Sequence, residues 1–166
     1  SQGVGVMWVE SSKALVGIVQ LLYRENKYVD ILLQEYVKTD YDVRVIVASG
    51  EIMGAMKRPI IDGDFRSNVS QGSEPTIHEI TELEAKESLR AAKSVDGDIV
   101  GVDFIPAKNR DKDSPLFIEV NSTPGLTGIE GAVKKQKTSN NVSLKNKSIT
   151  KDILNNMKTI LSKYKK

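Results

Sequence analysis

Alternating apolar and polar positions predict several β-strands along the chain. Valines alternate with arginine, isoleucine and alanine in residues 42–49, and a Ser-Gly pair separates this stretch from residues 51–57. This arrangement predicts a β-hairpin with one clearly apolar face. Residues 4–9 and 31–37 are also rich in β-forming side chains and predict two further strands.

Apolar residues at helical spacing predict three helices. Residues 13–25 follow a Ser-Ser pair that can cap a helix, and we expect the apolar face of this helix in the core. Thr81 and Glu84 fit a capping box, which predicts a helix that ends near Ser94. Residues 150–166 carry an apolar stripe and predict a helix at the end of the sequence.

Two polar stretches predict loops. Residues 59–75 are rich in glycine, aspartate, serine, asparagine and proline, follow directly after Arg58 and contain Arg66. Cations on such a loop can clamp a phosphate, and a solvated loop explains the same composition equally well. Residues 133–148 are dominated by lysine and asparagine and predict a solvated basic loop.

Strands predicted at residues 101–105 and 117–121 carry the most informative polar pattern. Side chains alternate along a strand, so Glu119 and Asn121 point the same way. If the two strands pair, Asp103 lies beside them and forms a patch of three oxygen-bearing side chains. Such a patch suits Mg²⁺ with phosphates completing its shell. The alternative is the solvated face of an edge hairpin, and the spacing leaves both interpretations open.

Composition narrows the possible chemistry. The 166 residues carry a net charge of +2, which neither favours nor excludes an anionic ligand. The sequence has no cysteine, which excludes thiolate metal sites and thiol nucleophiles. Its one histidine, His78, has no identifiable nucleophile partner, and we expect it to be structural or exposed. No signal peptide or membrane span is recognisable, and the absence of an initial methionine indicates a fragment of a longer protein.

Six stretches in order resemble the ATP-grasp superfamily, in particular its RimK-type carboxylate–amine ligases. They lie at residues 31–37, 42–44, 64–68, 101–103, 119–126 and 128–130. The resemblance covers residues 1–132 and implies an α+β fold, the C-terminal part of an ATP-grasp fold, with an antiparallel sheet and helices packed on one side. It leaves residues 133–149 as a basic polar loop or insert and residues 150–166 as the C-terminal helix of the same domain.

The resemblance also implies a set of nucleotide-binding positions. They are Gly3, Gly5, Glu35, Tyr36, Asp42, Arg66, Ser67 and Asn68. Gly3 and Gly5 correspond to the flexible loop that covers the ATP phosphates. Glu35 and Tyr36 correspond to the segment that holds adenine. Asp42 corresponds to a position near the ribose. Arg66, Ser67 and Asn68 correspond to a loop that faces the phosphates.

Catalytic and metal-binding positions are implied in the same way. Arg58 and Arg66 correspond to family positions that face the phosphate and the acyl phosphate. Asp103, Glu119 and Asn121 correspond to the three Mg²⁺ ligands, and Mn²⁺ can replace Mg²⁺ at such a site. The resemblance therefore favours the metal interpretation over the solvated hairpin face.

The implied activity is ATP-dependent formation of an amide bond through an acyl phosphate, in the cytoplasm. Glutamate would be added to a protein C-terminus, such as that of a ribosomal protein, or to a small-molecule acceptor. The alternatives are a related ligase of lysine or arginine biosynthesis and a non-catalytic nucleotide-binding module. We expect neither membrane association nor direct binding of nucleic acid. The oligomeric state is open, and a homo-oligomer is one alternative. The family's first domain and its two ATP-contacting lysines do not occur here, so we expect this sequence alone to be inactive.

Overall fold

The computed structural model describes residues 5–60, 74–139 and 148–163 of the chain. The chain divides into two compact units, Ser1–Lys38 and Thr39–Lys166. None of the helices in the described ranges is long and apolar enough to cross a membrane.

Helix α1, Ser12–Glu25, is the one helix or strand among the described residues of the first unit. The hydroxyl of Ser11 accepts a hydrogen bond from the Ala14 N–H at 3.2 Å and caps the helix, so the predicted helix and its cap are confirmed. None of the residues of α1 is buried. The expected burial of its apolar face is therefore not observed.

The strands predicted at residues 4–9 and 31–37 are wrong, since residues 5–9 and 31–37 form no strand. β-forming side chains favour an extended backbone, but a strand also needs a neighbour for its backbone hydrogen bonds. Neither segment pairs with a strand in the part of the chain that the structure describes. The two segments meet instead through the rings of Trp8 and Tyr36, which stack with centroids 5.0 Å apart.

The second unit is built on a five-stranded antiparallel sheet with the order β3-β2-β1-β4-β5. Its strands are β1 (Tyr41–Ala48), β2 (Glu51–Pro59), β3 (Thr76–Ile77), β4 (Ile99–Ile105) and β5 (Leu116–Asn121). Both predicted hairpins, β1–β2 and β4–β5, are confirmed. Ser49 and Gly50 have φ angles of 52° and 78°, the left-handed conformation that a tight two-residue hairpin turn requires.

Helices cover both faces of this sheet. Helix α2, Glu82–Lys93, packs on the face that carries the alternate valines of β1. Helices α3, Thr127–Ser139, and α4, Ile149–Lys163, pack on the opposite face, against Ile46 and Ala48. The α+β class and the antiparallel sheet are confirmed. The helices, expected on one side, lie on both, because most of β1 is apolar and buried on both faces.

Gly54 on β2 sets the distance between the sheet and helices α3 and α4. A Cβ atom at this position would lie 3.0 Å from Ile129 Cδ1 and 3.1 Å from Ile149 Cδ1. Both isoleucines are fully or almost fully buried. The missing side chain of Gly54 therefore lets the two helices pack directly on the strand.

The ends of the helices largely follow the sequence pattern. The capping box of Thr81 and Glu84 is present, and α2 ends at a C-cap formed by Ser94, as predicted. The C-terminal helix is confirmed as far as Lys163, and residues 164–166 lie outside the described residues.

Helix α3 runs further than the sequence pattern indicates. It continues to Ser139, so residues 133–139 of the predicted basic loop are helical, and residues 140–147 lie outside the described residues. Buried apolar side chains hold its first turns on the sheet. The lysines and glutamine that follow are good helix formers and extend it without an apolar pattern.

An ionic cluster around the buried Glu84 holds the β4–β5 loop against the start of α2. Arg110 on this loop donates from Nε to Glu84 Oε1 and from Nη2 to Glu84 Oε2, both at 2.8 Å. Its Nη2 also lies 2.9 Å from Nε2 of His78, which is buried. The same Nε2 lies 3.1 Å from Oε2 of Glu84, so this nitrogen either accepts from Arg110 when it carries no proton or donates to Glu84 when it does. The sequence predicts that His78 is either structural or exposed. His78 is buried, so the structural alternative is confirmed.

Burial lowers the pKa of His78 below the ordinary value of 6.5, and the neighbouring cations Arg110 and Lys57 lower it further. The bond and charge of Glu84 act in the opposite direction but do not restore it. An unfolded chain therefore takes up a proton on this ring at a pH at which the folded chain does not.

We predict that the free energy of unfolding decreases as the pH falls from about 7 through 6.5, with a slope of at most about 1.4 kcal/mol per pH unit. His78→Gln should remove most of this slope, because the sequence contains no other histidine. The carboxyl groups with lowered pKa titrate below 4.5 and affect stability only at more acid pH. Urea denaturation between pH 7.5 and 5.5 measures the slope, and an unchanged slope in His78→Gln would contradict this assignment.

Candidate functional site

Five charged side chains form a row across four neighbouring strands. This charged row consists of Arg58 on β2, Asp42 and Arg44 on β1, Asp103 on β4 and Glu119 on β5. Arg58 lies opposite Asp42 in the backbone register. Asp103 lies opposite Arg44 on one side and opposite Glu119 on the other. The row therefore follows directly from the pairing of the strands.

Arg58 is the most deeply held cation of the charged row. It donates from Nε to Asp42 Oδ1 at 2.7 Å and from Nη2 to Asp42 Oδ2 at 2.5 Å, and Nη2 also reaches Asp103 Oδ2 at 2.9 Å. All three residues are buried. Burial alone would lower the pKa of Arg58, but the bonds and charges of Asp42 and Asp103 outweigh it and raise the pKa above its ordinary value. Arg58 is therefore a permanent positive charge within the row.

Arg44 binds Asp103 from the neighbouring strand. Its Nε donates to Oδ1 at 2.7 Å and its Nη2 donates to Oδ2 at 2.5 Å. The same Nη2 lies 3.6 Å from Glu119 Oε1. Asp103 is only 2% exposed, so two guanidinium groups compensate its charge inside the sheet.

A β-bulge directs the end of β5. Asp103 pairs with Glu119 whereas Phe104 pairs with Phe117, which leaves Ile118 as an extra residue in β5. Beyond the bulge, the strand presents Glu119 on the face of the charged row, with a side chain that is 55% exposed.

Asn121 lies on the same face as Glu119, two residues further along β5, since the intervening Val120 packs into the core on the α2 side. Its Oδ1 accepts a hydrogen bond from the Thr123 N–H at 2.9 Å. This bond closes the turn that leads from β5 towards α3.

The three predicted metal ligands thus share one face, as expected, and their oxygen atoms fit a hard cation such as Mg²⁺ in chemical type. In the described ranges no three acidic, histidine or cysteine side chains come together as a metal site. The donor set here has two carboxylates, Asp103 and Glu119, and the amide of Asn121. The oxygens of Asp103 already accept hydrogen bonds from Arg44 and Arg58.

The remaining predicted site residues belong to the first unit or lie outside the described residues. Gly5 has a φ of 86° and is exposed, which fits a glycine turn. Glu35 and Tyr36 are exposed residues of the first unit. Four further predicted positions lie outside the described residues: Gly3, Arg66, Ser67 and Asn68.

Sequence reasoning missed Arg44 as a site residue and Gly101 as the residue that makes room for it. Strand alternation places Arg44 on the same face as Asp42, and this signal was sufficient to find it. Gly101 lies opposite Asn121, and a Cβ there would lie 2.8 Å from Pro124 Cβ and 3.5 Å from Arg44 Nε. The site therefore needs a residue without a side chain on β4.

Comparison with known proteins gives a match to one family model. Residues 1–144 match the model of a RimK-like ATP-grasp domain.

Curated relatives match over most of this chain. The "Probable alpha-L-glutamate ligase 2" of Shewanella sp. (strain W3-18-1) is 34% identical over 153 residues, which is 91% of this chain and 49% of that protein. The protein of the same name from Shewanella denitrificans is 39% identical over 134 residues, 80% of this chain and 42% of that protein. The chain thus spans about half the length of these relatives.

A solved structure shares the fold. The D-alanine–D-alanine ligase from Bacillus anthracis, complexed with ATP, aligns with a TM-score of 0.56 and 18% sequence identity. The alignment covers 82% of this chain and 46% of that chain. At this identity the likeness concerns the fold alone.

We predict that Gly101→Ala destabilises the second unit by about 1–3 kcal/mol, because the added methyl group forces Pro124 and the turn after β5 away from the sheet. Gly131→Ala in α3 is the matched control. A Cβ there meets nothing within 4 Å, and alanine favours a helix by about 1 kcal/mol over glycine. Urea denaturation compares the two, and equal stability of both variants would show that Gly101 is not needed for this packing.

Proposed function

The chain belongs to the RimK-like ATP-grasp family, and we propose that its charged row binds Mg²⁺ and nucleotide phosphates in an ATP-dependent carboxylate–amine ligase. The observation that carries the proposal is the convergence of two carboxylates, one amide oxygen and two arginines on one face of the sheet. Apolar residues of similar volume would stabilise the sheet at least as well as the buried ion pairs of Asp42, Arg58 and Asp103, so stability alone does not account for them.

Glu119 is the most accessible of the proposed metal ligands, and Asp103 and Asn121 complete the set. Bound there, Mg²⁺ supplies positive charge beside the β- and γ-phosphates. Asp42 holds Arg58 in a fixed orientation through two hydrogen bonds, and Arg58 in turn supports Asp103. The expected contact of Asp42 with the ribose stays a prediction.

The reaction we propose takes place in two steps. An oxygen of the acceptor carboxylate attacks the γ-phosphorus of ATP, the bond to the β-phosphate oxygen breaks, and ADP leaves. The amine of the amino acid then attacks the resulting acyl phosphate, the amide bond forms, inorganic phosphate leaves, and the amine loses a proton. Arg58 and Arg66 stabilise the negative charge that develops on the transferred group and on the tetrahedral oxygen.

Glutamate is the amino acid we propose, because the curated relatives carry the name of α-L-glutamate ligases. The acceptor is a carboxylate of a protein C-terminus or of a small molecule, and cytoplasmic ATP is the co-substrate. Because the chain spans about half of those relatives, the activity is proposed for the full-length protein.

The decisive assay measures ADP release by the full-length protein with Mg·ATP, candidate carboxylates and individual amino acids. We expect release that depends on both an acceptor acid and glutamate. Dependence on another amino acid would favour a ligase of lysine or arginine biosynthesis. ATP binding without any amine-dependent release would contradict the ligase and favour a non-catalytic nucleotide-binding module.

We predict that Glu119→Gln weakens Mg²⁺ or Mn²⁺ binding by at least about tenfold and lowers turnover, because the metal loses an anionic ligand. Folding stability should change little, since the Glu119 side chain is more than half exposed. Glu82→Gln on the exposed surface of α2 is the matched control and should behave as wild type. Metal titration and thermal denaturation of both variants measure these effects, and unchanged metal affinity in Glu119→Gln would refute the metal assignment.

A further inference from the structure

Arg44 occupies the position between the two carboxylates that would receive a divalent cation. It forms two hydrogen bonds with Asp103, and its Nη2 is 3.6 Å from Glu119 Oε1. The Arg44 side chain is 14% exposed, and that of the neighbouring Glu119 is 55% exposed.

The lone pairs of Asp103 are nearly all in use. Oδ2 accepts from Nη2 of both Arg44 and Arg58, and Oδ1 accepts from Nε of Arg44. A carboxylate oxygen offers about two lone-pair sites, so Oδ2 is saturated and Oδ1 has one left. A lone pair that accepts an N–H cannot also ligate a metal, and Mg²⁺ requires oxygens at about 2.0–2.1 Å in near-octahedral geometry.

The two arginines differ in how easily they can leave Asp103. Arg58 has a second, bidentate partner in Asp42 and is buried among carboxylates. Arg44 has no second hydrogen-bonded partner among the described residues, and its side chain is more exposed than that of Arg58, 14% against 5%. Arg44 is therefore the cation that a metal can replace.

We infer that Arg44 is a built-in counter-ion of the metal site, which a divalent cation displaces from Asp103 when it binds. The inference rests on the proposed function, because it takes Asp103 and Glu119 as metal ligands. Before the metal arrives, Arg44 prevents the two adjacent carboxylates from repelling each other. After displacement its five N–H donors are free for an anion next to the metal, such as a phosphate group of the nucleotide.

The charge balance of the row supports this exchange. Asp103 and Glu119 together with Arg44 carry a net charge of −1, which favours a cation over an anion as the first ligand to bind there. A divalent cation changes this to +1 and makes the same place attractive to phosphate. Arg44 thus links the binding of the metal to the binding of the nucleotide.

The test is a Mn²⁺ titration of the protein without nucleotide at pH 7.5, in which electron paramagnetic resonance measures free Mn²⁺. Arg44→Met removes the competing guanidinium and keeps the apolar stem, so we expect Mn²⁺ to bind about tenfold more tightly than to wild type, the factor for one lost charge-assisted interaction. Arg90→Met is the matched control, because Arg90 is an exposed helix residue paired with Glu87, and its affinity should equal that of wild type.

Equal or weaker Mn²⁺ binding by Arg44→Met, with wild type still binding, would overturn the exchange, since a merely structural arginine would support the site. Asp103→Asn separates this failure from a failure of the proposed function: if it binds Mn²⁺ as wild type does, the metal site itself is wrong and both proposals fall.

A second measurement does not depend on the fold of a variant. In the wild type, the Arg44 Nε–H signal should lose its protection from solvent exchange when Mg²⁺ is added, and unchanged protection would overturn the inference.

Discussion

The buried carboxylate of Asp103 is the constraint on which this part of the molecule depends. An isolated charge at 2% exposure is strongly unfavourable, and two guanidinium groups compensate it with three short hydrogen bonds. Arg44 comes from the neighbouring strand and Arg58 from the strand beyond it. A slip of one residue in either pairing would turn these side chains to the other face, so the ionic contacts and the register of the sheet support each other.

Strand alternation is enough to predict the β1–β2 hairpin and to bring Asp103, Glu119 and Asn121 to one face. It does not predict that Arg44 binds Asp103, because that contact depends on β4 pairing with β1 across a long stretch of chain. Local patterns describe the shape of a segment and not its partner. The same limitation explains why residues 31–37, although rich in β-formers, form no strand.

The packing of helix α3 on the sheet also overrides what its apolar and polar pattern predicts. The lysine-rich continuation of α3 contains no apolar period, yet it is helical because Ile129 and Val133 anchor the preceding turns on the sheet. Helices on both faces follow from the apolar residues on both sides of β1. On the face shared with α3 and α4, the apolar residues Ile46 and Ala48 lie at one end of β1, and Asp42 and Arg44 of the charged row lie at the other end.

The most direct test of the central claim is paramagnetic broadening of backbone NMR signals by Mn²⁺ in the presence of ADP. If Asp103, Glu119 and Asn121 hold the metal, the signals of residues 101–103 and 119–121 broaden first, at substoichiometric Mn²⁺. Broadening that instead begins at the acidic residues of the β4–β5 loop, Asp111 and Asp113, with residues 101–103 unaffected, would contradict the account.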